Sequence, residues 1–248
     1  NAVVGYASLI SAHGEEAERV RSYSDKVLAA SEQLLDVVNE TLEISRMESG
    51  NVQLAEAECS LSELVMQVRM DLVDMADRAD ITLECDIEPL VHDRVIVDAV
   101  RLSHVLVQLV DNAIKYSPTG STVRLMLSER ADAPQGLASF RFVVADEGIG
   151  MDPSFMERMF MPFERESNTT ASGVQGTGLG LTIVRNVLDL MEGNLSAESA
   201  PGEGSTFTVD ITFRQAPTGA ASEAQHPRRK HGPVRHILLV EDNELNRE

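Results

Sequence analysis

The stretch GVQGTGLGLTIV, Gly173–Val184, sets four glycines between a polar run and an apolar one. Glycines at the start of a helix let backbone amides come close to phosphate. Two familiar signatures are excluded by spacing. A dinucleotide fingerprint needs G-x-G-x-x-G directly after a strand, whereas Gly176, Gly178 and Gly180 alternate. A P-loop ends in Gly-Lys-Ser/Thr, and no lysine follows here. The stretch therefore has to be read with its neighbours. Upstream, ERESNTTASGVQ is small and polar, as in a loop that orders around a ligand. Downstream, Thr182–Met191 has helical periodicity.

Composition narrows the choices. The 248 residues are 43% apolar and 25% charged, an ordinary balance for a chain that buries a core. A formal net charge of −19 argues against a nucleic-acid groove, so no nucleic-acid partner is expected. Cys59 and Cys85 have no CxxC partners and cannot form a disulfide framework, which favours a reducing compartment. No apolar run approaches the ~20 residues that span a bilayer, and no signal-peptide pattern opens the sequence. The expectation is a cytoplasmic portion; any inner-membrane anchor of the parent protein lies outside these residues.

The chain divides into four parts. Residues 22–48 read as one helix with a heptad seam of Leu28, Leu35 and Leu42, flanked by Val27, Leu34 and Val38, with Glu32, Asp36, Glu40 and Glu43 off the seam. Such a helix either pairs in a bundle or packs on its own domain, with Gly50 a C-cap. From Val52 to Arg214 helix and strand patterns mix. Leu61–Asp77 is helical with Leu64, Val65, Val68, Leu72 and Met75 on one face, and ITLECDI (81–87) alternates as a strand. Val100–Ile114 is a helix, and Thr122–Leu127 and Ala138–Ala145 are strands. Pro153–Phe160 is a short helix, and NLSAES and STFTVDITF are strands joined by APGEG. Without strict strand–helix alternation the fold class is α+β. Residues 216–235 read as a flexible linker. Residues 236–248, with HILLVEDNELNRE, read as a strand, an acidic turn and a helix start, and both ends look cut.

Three polar sets punctuate the middle region. In DNAIKYS (111–117), Asn112 and Lys115 share a helix side with Gln108. Amide oxygens suit Mg²⁺, and a lysine is a point charge for phosphate. In ADEGIGM (145–151), Asp146 ends a strand and is positioned to accept from an exocyclic amine, while Gly148 and Gly150 allow close backbone approach. The opening stretch is the third. Each set alone is equally a solvated helix end, a turn or a flexible connection.

In order, DNAIKYS, DEGIGM, FMERMFMPF, GTGLGL and PGEGSTF resemble the N, G1, F, G2 and G3 boxes of the histidine-kinase ATP-binding domain, a branch of a wider ATPase superfamily. The resemblance implies a two-layer α/β sandwich that binds ATP and Mg²⁺. Asn112 would coordinate the metal, with Gln108 beside it as a second amide, and Lys115 would contact phosphate; Asn112 and Lys115 carry the catalytic assignment. Tyr116 would lie against adenine, Asp146 would take its amino hydrogen, and Gly148 and Gly150 would shape the base pocket. Thr206 would sit near the base. Phe160 and Phe163 would anchor a lid over 164–175, and Gly176, Thr177, Gly178, Leu179 and Gly180 would meet the triphosphate. Where the family usually has Asn, this chain has Gln108. Related hydrolytic ATPases carry glutamate there, and glutamine cannot act as a general base, which favours transfer over hydrolysis.

The flanks resemble the same family. Residues 1–50 look like part of a dimerisation and phosphoacceptor hairpin, 51–215 like the catalytic domain, and ILLVEDNELNRE like the start of a receiver, with Glu241 and Asp242 as its Mg²⁺-binding acidic pair. The whole would be a hybrid sensor histidine kinase, a homodimer relaying phosphate to a receiver or response regulator. None of the six histidines (His13, His92, His104, His226, His231, His236) lies in an acceptor-like box, so these residues alone are expected not to autophosphorylate. A hydrolytic ATPase of the same fold and a nucleotide-gated scaffold without catalysis are the alternatives.

Overall fold

Side chains placed at element boundaries set the framework. Ser60 accepts from the Glu63 amide at 3.2 Å and so caps the following helix, the Ser-x-x-Glu spacing of a capping box. Asp98, buried, uses Oδ1 to accept from Arg101 N at 3.1 Å and Oδ2 to accept from Ala55 N at 2.9 Å, capping a helix and tying it to the segment before the first strand. Asp152 caps a third helix, whose first residue is Pro153.

The structure is a computed structural model that describes residues 2–13, 16–48, 53–165 and 176–217. Its elements are α1 (Ala2–Ala12), α2 (Ala17–Glu48), β1 (Ala57–Ser60), α3 (Leu61–Arg78), β2 (Thr82–Ile87), β3 (Arg94–Val97), α4 (Ala99–Tyr116), β4 (Thr122–Arg130), β5 (Leu137–Asp146), α5 (Pro153–Met156), α6 (Gly180–Leu190), β6 (Asn194–Ser199) and β7 (Ser205–Gln215). The strands form one mixed sheet in the order β1-β3-β7-β5-β4-β2. The β2–β4 pair is parallel and the other pairs are antiparallel. Strand β7 is long enough to hold β6 along Ser205–Asp210 and β3 at Arg214–Gln215 on the same edge.

One face of the sheet is covered by α3, α4 and α6. Leu102, Leu106, Leu109 and Val110 of α4 and Ile183, Val184 and Val187 of α6 are buried with Phe140, Phe142, Leu125 and Val209 from the strands. This is the expected α+β class and the expected two-layer sandwich.

Several sequence expectations are refined. Strands β1 and β3 were not anticipated, and α2 begins at Ala17 rather than residue 22. On α3 the buried position is Ala76, not Met75, which remains 36% exposed. The seam leucines Leu28, Leu35 and Leu42 are 62%, 59% and 50% exposed, so they do not pack on this chain's own core. The side of α2 that does pack inward carries Ile44, which is buried, and rests on α6. Gly50, most of the 164–175 lid, nearly all of the 216–235 linker and the receiver-like end with Glu241 and Asp242 lie outside the described residues.

Candidate functional site

A cavity of about 660 Å³ opens beside α4, a size typical of small-molecule sites. Its apolar lining comes from Ile149, Met151, Phe155, Met159 and Phe207. Its polar lining comes from α4, through Gln108, Asn112, Lys115 and Tyr116, and from the segment entering α6, through Gly176, Thr177, Gly178 and Gly180. The α4 residues converge because helical neighbours three and four apart share a side. The α6 segment contributes because its amides have no intrahelical acceptors at a helix start.

Asp146, at the end of β5, is the fixed point of the apolar part. Its Oδ1 accepts from Gly148 N at 2.8 Å and from Ser205 N at 3.1 Å. Oδ2 takes no hydrogen bond from the described residues, and the residue lines the cavity. Burial pushes the carboxyl above the usual aspartate range, and the two amide donors offset that only in part.

Two glycines hold this corner closed. Gly150 has φ of +65°, and a Cβ there would stand 1.8 Å from the Ala200 carbonyl oxygen. Gly204 has φ of +78°, and a Cβ would stand 2.0 Å from the Asp146 carbonyl oxygen. Only glycine meets both demands at these places. Ser199 completes the tie: Oγ accepts from Met151 N at 2.9 Å and donates to the Gly204 carbonyl at 2.7 Å.

Lys115 Nζ donates to Asp111 Oδ2 one turn earlier, so the cation at the cavity wall is held by a carboxylate on its own helix. Gln108 Oε1 lies so close to Gly180 that a Cβ there would be 2.7 Å from it. The longer side chain thus spends its reach on the start of α6. Among the described residues no cluster of three or more His, Cys, Asp or Glu could hold a metal by itself.

Not every expected site residue lines the cavity. Thr206 is replaced by Ser205, because strand neighbours face opposite sides of a sheet and Ser205 and Phe207 point to the cavity side. Counting back two from the apolar Phe207 would have found it. The Leu179 side chain is buried in the core, which leaves only its backbone for the expected phosphate contact. Phe163 is 63% exposed and lies outside the cavity lining, with its N–H donating to Gly178 O at 3.0 Å. Gly148 acts from behind: a Cβ would stand 2.6 Å from Asp146 Oδ1 and 2.7 Å from Tyr116 O. Asn39, Glu40 and Glu43 of α2, outside the expected site residues, also form part of the wall.

Residues 97–215 match the family described as histidine kinase-, DNA gyrase B- and HSP90-like ATPases. The autoinducer 2 sensor kinase/phosphatase LuxQ of Vibrio parahaemolyticus is 29% identical over 99% of this chain and 29% of its own length. The circadian input-output histidine kinase CikA of Synechococcus elongatus is 32% identical over 98% of this chain and 31% of its own length. The chain therefore spans about three tenths of these relatives. The crystal structure of full-length ShkA in complex with AMPPNP superposes with a TM-score of 0.66 at 26% identity, covering 80% of this chain and 40% of that one. With its cavity built on the Asp146 corner and the start of α6, the 97–215 region is similar to the histidine kinase-, DNA gyrase B- and HSP90-like ATPases, and the relatives that match nearly the whole chain are sensor kinases.

Proposed function

We propose that the cavity binds ATP with Mg²⁺ and that the domain passes the γ-phosphoryl group to a protein histidine in a sensor-kinase phosphorelay. The observation that carries this reading is the Asp146 corner. A carboxylate with one oxygen tied to two backbone amides and the other left for the cavity, beside Ile149, Met151 and Phe207, suits a flat base with an exocyclic amine. The polar wall suits a triphosphate: Lys115 offers a charge, and the amides entering α6 offer aligned donors.

The donor set also fits the metal. Mg²⁺ keeps several waters and binds through substrate phosphates with one or two protein oxygens, so a site without a carboxylate cluster is suited to it. Asn112 would hold it, with Gln108 turned toward α6, and when bound it would offset charge on the transferring group. In transfer, the bond between the γ-phosphorus and the β,γ-bridging oxygen breaks. A bond from phosphorus to the lone-pair nitrogen of a neutral imidazole forms, ADP leaves with the bridging oxygen and its electron pair, and the remaining imidazole N–H proton passes to solvent. Lys115 and the α6 amides position the phosphates. The acceptor is a histidine other than the six in this sequence.

The exposed Leu28–Leu35–Leu42 seam supports a homodimer through the hairpin, and the receiver-like sequence at 236–248 supports relay to a receiver aspartate. No helix among the described residues is long and apolar enough to cross a membrane. That is consistent with this portion acting on the cytoplasmic side.

Calorimetric titration with ATP, with and without Mg²⁺, tests the reading. Binding that strengthens with Mg²⁺ is expected. A chain that binds no nucleotide in the presence of Mg²⁺ refutes it, and steady phosphate release would instead support hydrolysis, which Gln108 disfavours for want of a general base.

A further inference from the structure

Helix α2 does more than pass by the ATPase domain. Glu43 Oε1 stands 3.7 Å from Arg101 Nη1 and 3.7 Å from His104 Nδ1, both on the same helix as Gln108 and Asn112. Next to it Ile44 is buried against the domain. One turn back, Glu40 lines the cavity, and its Oε2 is buried and accepts no hydrogen bond from the described residues. We propose that docking of α2 and binding of a nucleoside triphosphate oppose each other, with Glu40 and Glu43 as the residues that couple them.

This rests on the cavity being the nucleotide site. A triphosphate brings several negative charges to a wall that already carries two carboxylates from α2. Like charges in a partly dry cleft repel more strongly than in water. In the docked position Glu40 Oε2 is buried without a donor among the described residues, and a buried carboxylate oxygen gives up hydration. Undocking hydrates Glu40. It strands no cation either, since Arg101 Nε keeps Asp98 Oδ2 at 3.5 Å. The clasp at Glu43 is therefore loose enough to open and specific enough to close. By linkage, whatever weight nucleotide places against docking, docking places against nucleotide.

The test uses the full 248-residue chain. In a Cys59→Ser, Cys85→Ser background, Ile44→Cys places a thiol on the docking face. Its alkylation rate should rise several-fold when ATP and Mg²⁺ saturate the site. In calorimetry, Glu40→Gln should tighten ATP by about three- to tenfold, the effect of one unit charge removed at screened range. Asn39→Asp, which adds a carboxylate to the same wall, should weaken it by a similar factor. Normal ATP binding with an unchanged or slower alkylation rate overturns the coupling while leaving the nucleotide site standing. Weaker binding by Glu40→Gln also overturns it and would make Glu40 a ligand of the metal. Absence of any nucleotide binding removes the site assignment and the coupling together.

Discussion

Replacing Asp146 by Asn isolates the base-recognition role of this carboxylate from its structural role. Asn keeps an oxygen that can accept from Gly148 N and Ser205 N, now at 2.8 and 3.1 Å, so the corner should hold its shape. What changes is the second position, where a charged acceptor becomes an amide donor facing the cavity. Loss of a hydrogen bond to a charged group costs about 1.5–3 kcal/mol, which is roughly 10- to 150-fold in affinity. ATP binding should fall by that factor. ITP has an oxygen where ATP has its amino group, so it should bind the native chain weakly and Asp146→Asn no worse than before. The ratio of ATP to ITP affinity, read by calorimetry on both proteins, is the measurement. An unchanged ratio would refute base recognition by Asp146.

The same carboxylate predicts two pH effects. Burial raises its pKa above the usual aspartate range, so the cavity-facing acceptor is lost on acidification sooner than an exposed aspartate would be. ATP affinity of the native chain should therefore decline as pH falls through that raised value, and Asp146→Asn should show no such decline. Stability runs the other way. A raised folded-state pKa contributes stability that is present below the unfolded value and lost as pH rises through the folded one. At neutral pH the Asn variant should be as stable as the native chain or more so in urea.

Three other outcomes are expected. Gly150→Ala must place a Cβ 1.8 Å from a backbone oxygen at φ of +65°, at a cost of about 1–2 kcal/mol for the left-handed backbone and roughly 1–3 kcal/mol more for overpacking, read from urea midpoints. An unaltered midpoint would contradict the close packing of 146–150 on 200–204. Glu129 accepts from Val91 N and His92 N and meets His92 Nδ1 at 2.6 Å; burial acts to raise its pKa, but the His92 ring and the two amides outweigh this and hold it below the usual glutamate range. Glu129→Gln should cost about 1.5–3 kcal/mol at neutral pH, and the deficit should vanish as pH falls through the lowered folded pKa, followed by thermal melts across that range. Incubation of the 248-residue polypeptide with labelled ATP should leave no acid-labile phosphate on it, and a labelled phosphohistidine at His13 or any other of the six positions would show the acceptor assignment to be mistaken.

What the sequence made legible followed from local chemistry. Gln108, Asn112 and Lys115 could be put on one side of a helix because α4 has strong apolar periodicity, with Leu102, Leu106 and Leu109 buried as a register mark. The Asp146 corner was legible only in company, because aspartate and spaced glycines at a strand end are ordinary turn chemistry until the other glycine-rich and helical sets follow in order. Thr206 failed by one position because GSTF offers two adjacent hydroxyls, and only the pleat of β7 separates them. The burial of the Leu179 side chain was not legible, because a residue inside a glycine-rich segment can turn its side chain into the core while its neighbours expose backbone. Strands β1 and β3 were missed because four residues are too few to establish alternation, and their pairing is decided by β7 from far along the chain.

The role of α2 was hidden for a different reason. Glu40 and Glu43 lie off the leucine seam, and charged residues off a seam ordinarily face water. A helix with two partners has two faces to account for, yet the heptad pattern records only the more apolar one. The second face carries buried Ile44, half-buried Met47 and a pair of carboxylates that meet Arg101, His104 and the cavity. A contact this polar is too weak to imprint a hydrophobic period, and it is suited to an interface that opens and closes. Permanent docking would be served better by leucines, which the other face of α2 has in abundance. Sparse apolar contact with acidic residues beside a site for an anionic ligand therefore fits an association the ligand can reverse.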